Sequence, residues 1–487
     1  MTSKTSADTI VIGGGSAGCV IAGRLAAANK EVLLIEAGPD YGSFGNSAWP
    51  TELVDARMLA TTHDWDYAGG RWEFQRAQVI GGCSSHNGAI AAVGHRQDYD
   101  DWGLPGWSGN DVAPLFAEVI EKMRVRTYQR NEAGPFHARC LEAAAALGWN
   151  MADDLCDLDA NDAFGLETVN IVDTTRWNTA FAYLDPERGN PKLTIKDKTI
   201  IDRIEESNDS ILVSAYNGDE KIMFECQRVV LAAGVYGTPQ ILQRSGIGDP
   251  SLLKDLDIDV VVDAKAVGQN LHDHPMCHAD RAVGSELQQW LDEAAAQGFL
   301  PEEQTLGKAI SSQSQDGLYD LHVFPVCASD QTSFLHGRVH VEVACMTPKS
   351  RGQINIVDKN PRAHPEIDHC YLSDPADHDI QVMADGLKMA EQMLDHPVLA
   401  EILGDPISDT SSWSAIRAQV EHYYHPVGTC RMGIDKDAVC DPSGLVRGTN
   451  KLFVADASLM PQIPRGNTNL PAIMLGERIA KSLLDAI

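Results

Sequence analysis

Apolar and polar residues fall into three textures along this chain. Residues 9–12 form a short apolar strand, followed by a Gly-rich turn and a small-residue helix over about 16–28. A second apolar strand covers 31–35 and ends at Glu36. Residues 228–233 and 452–456 repeat this short continuous run, the pattern of strands buried on both faces. A helix is predicted from about 470 to 487. A second texture alternates with period two over 194–213, 221–230 and 321–346, which predicts antiparallel strands. The third has helical spacing, over 374–394 and 413–422. Residues 286–315 are polar and rich in Gln and Ser, and predict a helix followed by a flexible loop. The fold class is therefore α/β with an α+β part. The first strand and the last helix stand at opposite ends of the chain, so one domain is assembled from distant pieces.

Length and composition narrow this picture. At 487 residues the chain predicts two or three domains. No apolar run approaches the ~20 residues that span a bilayer, and no secretory signal is visible at the start, so a soluble cytoplasmic protein is expected. The formal net charge of −30 argues against nucleic acid and anionic membranes. It reads first as a solvated acidic surface, and it permits a cationic ligand. Eleven cysteines occur with no Cys-x-x-Cys pair, so they are expected to be reduced and mostly buried. Neither His272-Asp273-His274 nor His422-x-x-His425 has a Cys or carboxylate set at a familiar ligand spacing, so no metal is expected there.

The Gly-rich turn carries the first chemistry. Gly13, Gly15 and Gly18 occupy the G-x-G-x-x-G positions between a strand and a helix, and Glu36 follows 18 residues after Gly18. Such glycines give a tight turn, close backbone approach to a pyrophosphate, and close helix–strand packing. The acid stands near the usual offset for a ribose hydroxyl pair. A dinucleotide is implied, without a choice between FAD and NAD. Near the other end, His425 lies in Tyr-Tyr-His-Pro-Val-Gly-Thr and Asn469 in Gly-Asn-Thr-Asn-Leu-Pro. An imidazole and an amide between apolar segments suit convergence on one polar ligand atom.

Several separated motifs together resemble one family, the glucose–methanol–choline (GMC) oxidoreductases. They are residues 12–18; Val79-Ile-Gly-Gly-Cys-Ser-Ser-His-Asn-Gly88; 234–248, ending Ser-Gly-Ile-Gly; Val267-Gly-Gln-Asn-Leu-His-Asp-His-Pro275; 425–433; and Val454-Ala-Asp-Ala-Ser-Leu-Met-Pro461 onward. The resemblance runs over nearly the whole chain and implies FAD and alcohol oxidation by hydride transfer. It implies an FAD domain from 1–147, 190–283 and 425–487, and a substrate domain of antiparallel sheet plus helices from 148–189 and 284–424. His425 is the implied base and Asn469 the second catalytic position. Implied cofactor contacts are Gly13, Gly15, Ser16, Ala17, Gly18, Glu36, Ala37, Val79, Gly81, Gly82, His86, Asn87, Gly88, Ile201, Asp456, Ala457 and Pro471. The Gly-Gly-Cys-Ser-Ser-His-Asn stretch resembles choline oxidase, which implies a covalent bond from His86 to the flavin. Tyr423 and Tyr424 are candidates for the pocket border, and His272 and His274 for a structural loop.

Two departures limit what carries over. Val235 replaces a small residue usual in the family, and the segment around 284–320 looks trimmed. The expected partners are an alcohol, with cationic and aromatic primary alcohols both open, and oxygen or another electron acceptor. Monomer and dimer both stay open. The competing class is a hydroxynitrile-lyase-type enzyme with a redox-silent flavin.

Overall fold

The computed structural model describes residues 6–297, 302–328 and 336–485. It holds two large sheets with a cavity between them. The first is built around β1 (Ser6–Ile12), which leads through the Gly-rich turn into α1 (Ser16–Ala27) and β2 (Val32–Ile35). β1 pairs parallel with β2, in register Ile12↔Ile35, and with β3 (Glu220–Leu231), in register Ile12↔Leu231. The strand Leu193–Lys196 extends the parallel set beyond β2, and Leu452–Val454 pairs with β3. The strands Ile211–Asn217 and Thr199–Glu206 continue it antiparallel. The first and last pieces of the chain thus share one sheet.

β3 joins the expected segments 221–230 and 228–233 into one strand. Its first half alternates, with Phe224 and Cys226 buried between exposed neighbours, while Val229, Val230 and Leu231 are buried in succession. The change follows its partners. The first half lies in the antiparallel wing with one face wet, and the second in the parallel core with both faces covered.

The second sheet has the order Leu403–Pro406, β4 (Pro275–Val283), β5 (Arg338–Cys345), Leu321–Cys327, Thr305–Ala309, Ala163–Leu166 and Met151–Ala152. The helix His378–Leu394 lays Ile380, Met383, Leu387 and Ala390 into the core under this sheet. Two expectations change here. Residues 275–283 were assigned to the FAD domain, but β4 pairs along its length with β5. The Gln- and Ser-rich segment is helical over Ser285–Gln297, yet Thr305–Ala309 is a fully buried strand rather than loop. That strand pairs on both sides, and the Lys308 ammonium sits 4.8 Å from the Tyr319 ring centre. Tertiary pairing overrides a polar pattern when each polar group finds a partner. Residues 298–301 of the expected loop lie outside the described residues.

The last helix, α2 (Asn469–Asp485), packs on α1, with Gly476 against Ala17 and Val20. The expected ends at 486–487 lie outside the described residues. All eleven cysteines are free thiols, nine of them buried. Among the described residues no helix is long and apolar enough to cross a membrane.

The turn geometry generates a test. A Cβ on Gly18 would stand 1.8 Å from the Gly13 carbonyl oxygen, whereas one on Gly15 meets only Gly82 Cα at 3.8 Å. Gly18→Ala is expected to lower the melting temperature by more than an ordinary overpacked side chain, which costs about 1–3 kcal/mol. Gly15→Ala should melt close to wild type. Differential scanning fluorimetry of the two proteins checks this.

Candidate functional site

A cavity of about 1010 Å³ runs from the Gly-rich turn to His425. It is as large as the roomiest small-molecule sites, roughly 300–1,000 Å³. Of the expected cofactor contacts, Gly13, Gly15, Ser16, Ala17, Glu36, Ala37, Gly82, His86, Asn87, Gly88, Ile201, Asp456 and Ala457 line it. Gly18, Val79, Gly81 and Pro471 do not line it and act behind its wall. Gly18 allows α1 to close on the turn. The Gly81 N–H donates to the Gly14 carbonyl at 2.7 Å, and the Val79 carbonyl accepts from Gly82 N–H at 2.8 Å. Pro471 is buried in the first turn of α2.

At the turn, α1 begins with no side-chain cap, so its first N–H groups are left for a ligand. Glu36 at the end of β2 accepts from Gly14 N–H at 2.7 Å and Gly38 N–H at 2.8 Å. Burial still pushes its carboxyl up to about 7, against the pull of those bonds. Asp456 accepts from Gly234 N–H at 2.9 Å and from the Thr238 hydroxyl at 2.5 Å, tying the last strand to the segment after β3.

Asn469 belongs to this end of the cavity. Its Oδ1 accepts from the Ser16 hydroxyl at 2.8 Å, and its buried Nδ2 has no hydrogen-bond partner. Expected beside His425, it instead faces the start of α1, because it opens α2 and the two helices pack against each other. Asn467, two residues earlier, lines the cavity with a buried Oδ1 that no group satisfies. The same Gly-Asn-Thr-Asn motif contains both asparagines, and spacing alone gave no reason to prefer the first.

At the other end, His425 is buried among His274, Tyr423 and His322. Its Nδ1 lies 3.1 Å from His274 Nδ1, and its ring centre lies 4.3 Å from that of Tyr423. Burial, then the neighbouring His274, His322 and Arg76, hold its pKa well below the ordinary imidazole value. The ring is therefore neutral at pH 7 and able to accept a proton. Asp273 fixes the local backbone. Its Oδ1 accepts from the N–H of His274 at 2.8 Å and of His425 at 2.9 Å, and its Oδ2 accepts from the Tyr371 hydroxyl at 3.0 Å. The sequence marked His272 and His274 together as structural. His272 is so, with Nδ1 on the Asn270 carbonyl at 2.6 Å and Nε2 accepting from Ile463 N–H at 3.0 Å. His274 instead touches the candidate base.

His86 lines the cavity, and its Nε2 lies 3.0 Å from the Thr62 carbonyl. A carbonyl only accepts, so Nε2 carries the proton and Nδ1 the lone pair. Burial lowers its pKa and keeps the ring neutral.

These features fit FAD. An uncapped helix start, a buried unsatisfied amide donor beside it and a carboxylate at the end of β2 make a dinucleotide cradle. The cavity then continues past Gly82 and His86 to a neutral histidine, room that the dinucleotide's flavin end requires. Fold and site define an FAD-dependent oxidoreductase whose cavity lies between two sheets. The chain belongs to the GMC oxidoreductase family, whose N-terminal model matches residues 7–276 and whose C-terminal model matches 348–476. It is an FAD-dependent alcohol oxidoreductase. Its relatives include oxygen-dependent choline dehydrogenases, at 31% identity from Klebsiella pneumoniae (98% of this chain, 95% of that one). Another, from Paraburkholderia phytofirmans, is 30% identical (97% and 93%). In fold it is similar to pyridoxine 4-oxidase from Mesorbium loti, with a TM-score of 0.87 at 22% identity (98% and 99%). A formate oxidase variant from Aspergillus oryzae, studied for FAD modification, gives 0.87 at 22% identity (100% and 99%).

The electrostatics of His425 predict a pH profile. A base whose pKa is depressed stays unprotonated until pH falls well below the ordinary value of about 6.5. The rate at which an alcohol bleaches the flavin under anaerobic stopped flow should therefore lose no activity to protonation of His425 between pH 8 and 6.5. An acid limb from this residue should appear only below that range.

Proposed function

We propose that this protein oxidises a primary alcohol carrying a cationic group to the aldehyde, with His425 taking the hydroxyl proton. The observation that carries this reading is the neutral, buried imidazole of His425 on a cavity wall that is otherwise rich in acids and aromatics. FAD held in the cradle is the hydride acceptor. A simple alcohol has a pKa near that of water, about 16, so imidazole cannot make a free alkoxide. His425 must take the proton as hydride leaves the carbon. For Nε2 to be the accepting atom, the ring proton must sit on Nδ1 and be donated to His274 Nδ1. His274 is then a positioning residue that fixes the tautomer, and Asp273 holds both backbones in place.

Asn467 takes the role expected of Asn469. Its amide is free to turn Nδ2 toward the substrate oxygen as negative charge develops there, which stabilises the transition state more than the ground state. Asn469 belongs to cofactor binding. His425→Ala should slow anaerobic flavin bleaching by roughly 10²–10⁴ with FAD retained. Asn467→Ala should slow it with FAD likewise retained. Asn469→Ala should instead lower the FAD content of the purified protein. Equal bleaching rates in wild type and His425→Ala would remove this residue from the mechanism.

The substrate class is supported by the wall opposite the cofactor cradle. Glu302, Glu303, Glu342 and Glu421 line it with Phe324, Tyr423 and Tyr424. The Phe324 and Tyr423 rings stack with centres 5.0 Å apart. Burial pushes Glu303 and Glu342 up to about 8, and an ammonium group held among these acids and aromatic faces would draw their carboxyls into the charged form. Two relatives act on choline by name. Glu303→Gln should raise KM for a cationic alcohol by about tenfold and leave KM for a neutral alcohol of equal size unchanged. Steady-state kinetics on the paired substrates check this. The covalent tether through His86 is part of the same reading. The neutral ring would add through its lone pair to the flavin's methyl carbon as that carbon loses a proton, and the electron pair released would pass to the flavin and from it to oxygen or the other electron acceptor. Acid precipitation should leave the yellow colour in the wild-type pellet and in the supernatant of His86→Ala.

A further inference from the structure

The wall formed by β4 and β5 carries a second constellation, which shares Glu342 with the proposed substrate wall and adds His278, His340 and Asp280, three residues that the proposed alcohol oxidation does not use. In their register His278 stands opposite Glu342 and Asp280 opposite His340. Alternate residues of a strand share a face, so two adjacent cross-strand pairs place two imidazoles and two carboxylates together. His278, His340 and Glu342 line the cavity. One donor atom from each of these three lies within 4.8 Å of the others.

The spacings are those of ligands rather than of a hydrogen-bonded network. His340 Nδ1 is 3.3 Å from Glu342 Oε1 and 3.7 Å from Asp280 Oδ1. His278 Nε2 is 3.5 Å from Asp280 Oδ1, and its Nδ1 is 3.8 Å from Glu342 Oε2. Only the 3.3 Å contact is a hydrogen bond. Asp280 Oδ1 and Glu342 Oε2 are buried without any hydrogen bond, in residues 3% and 7% exposed. Buried carboxylate oxygens without donors are costly, and a cation removes that cost. Tetrahedral bonds of about 2.1 Å put neighbouring donor atoms roughly 3.4 Å apart. That is close to the 3.5, 3.7 and 3.3 Å that link His278 Nε2, Asp280 Oδ1, His340 Nδ1 and Glu342 Oε1, one atom from each residue.

We propose that His278, His340 and Glu342, with Asp280 beside both histidines, bind a divalent transition-metal ion of the Zn²⁺ class. Nitrogen and oxygen donors without sulfur suit such an ion. Arg338, whose Nη1 lies 3.8 Å from Asp280 Oδ2, balances the outer carboxylate oxygen. The ion keeps at least one position open to the cavity, because the protein donors all come from one wall. A second group, Cys345, His378 and Asp379, also has close donor atoms. Its Asp379 oxygens are already satisfied by the N–H groups of Lys349 at 2.7 Å and Ser350 at 3.0 Å. The wall cluster is therefore the site in need of an ion.

The test uses FAD-loaded enzyme dialysed against a chelator and titrated with Zn²⁺ in competition with a chromophoric chelator. One site per chain is expected, with N/O donors and no sulfur in X-ray absorption at the zinc edge. His278→Asn and Glu342→Gln, each checked for retained flavin, should weaken binding at least 100-fold, while Asp379→Asn should not. Undiminished binding in the first two variants, a sulfur ligand at the edge, or no stoichiometric binding to wild type would each overturn the proposal.

Discussion

One buried carboxylate holds the reactive end of this enzyme together. Asp273 accepts the backbone N–H groups of both His274 and His425, which are 151 positions apart in sequence. It also receives the Tyr371 hydroxyl. Burial pushes its carboxyl up to about 6, with the nearby Arg76 guanidinium opposing the shift. Were this acceptor lost, two buried N–H groups would be left unsatisfied, a cost of roughly 1–3 kcal/mol each. The Nδ1–Nδ1 contact of the histidines would lose its frame. The crossing of the two segments, marked by the bridge His272↔Val427, makes the same demand on the chain.

The rest of the molecule serves to bring that crossing over the cofactor cradle. The parallel sheet recruits its strands from residues near both termini, so β1 and Leu452–Val454 flank β3 on its two sides. This places α2 against α1 and sets Asn469 on Ser16. The same connection carries Asn467 to the cavity wall two residues before the helix begins. The antiparallel sheet closes the cavity from the other side, and β4 runs directly from the His272–His274 loop into that sheet. One continuous stretch of chain thus supplies the neighbour of His425 and a strand of the cavity wall.

Charge is arranged in the same spirit. His274 and His425 are kept neutral by burial, so neither carries a standing charge in the cavity wall. Four acids, Glu302, Glu303, Glu342 and Glu421, line the cavity on the side of the antiparallel sheet. The chain's formal net charge of −30 gave no sign of this division, because composition does not distinguish a solvated surface from a lined cavity.

Much of the architecture was legible in the residues themselves. Continuous apolar runs marked the parallel strands, and period-two alternation marked the antiparallel ones. The spaced glycines marked the turn, because a Cβ at Gly18 has no room beside the Gly13 carbonyl. Each of these is a local constraint, readable within a few residues. What the sequence could not reveal depends on partners far along the chain. Thr305–Ala309 is a strand only because two neighbours pair with it. Pro275–Val283 joins the antiparallel sheet because β5 offers the register. Asn467 and Asn469 are alike in motif and differ only in what the folded chain puts beside them, an open cavity for one and the Ser16 hydroxyl for the other. Local sterics and hydrophobic period were written in sequence, whereas the pairing of buried polar groups was decided by tertiary structure, because their partners come from segments brought together only by folding.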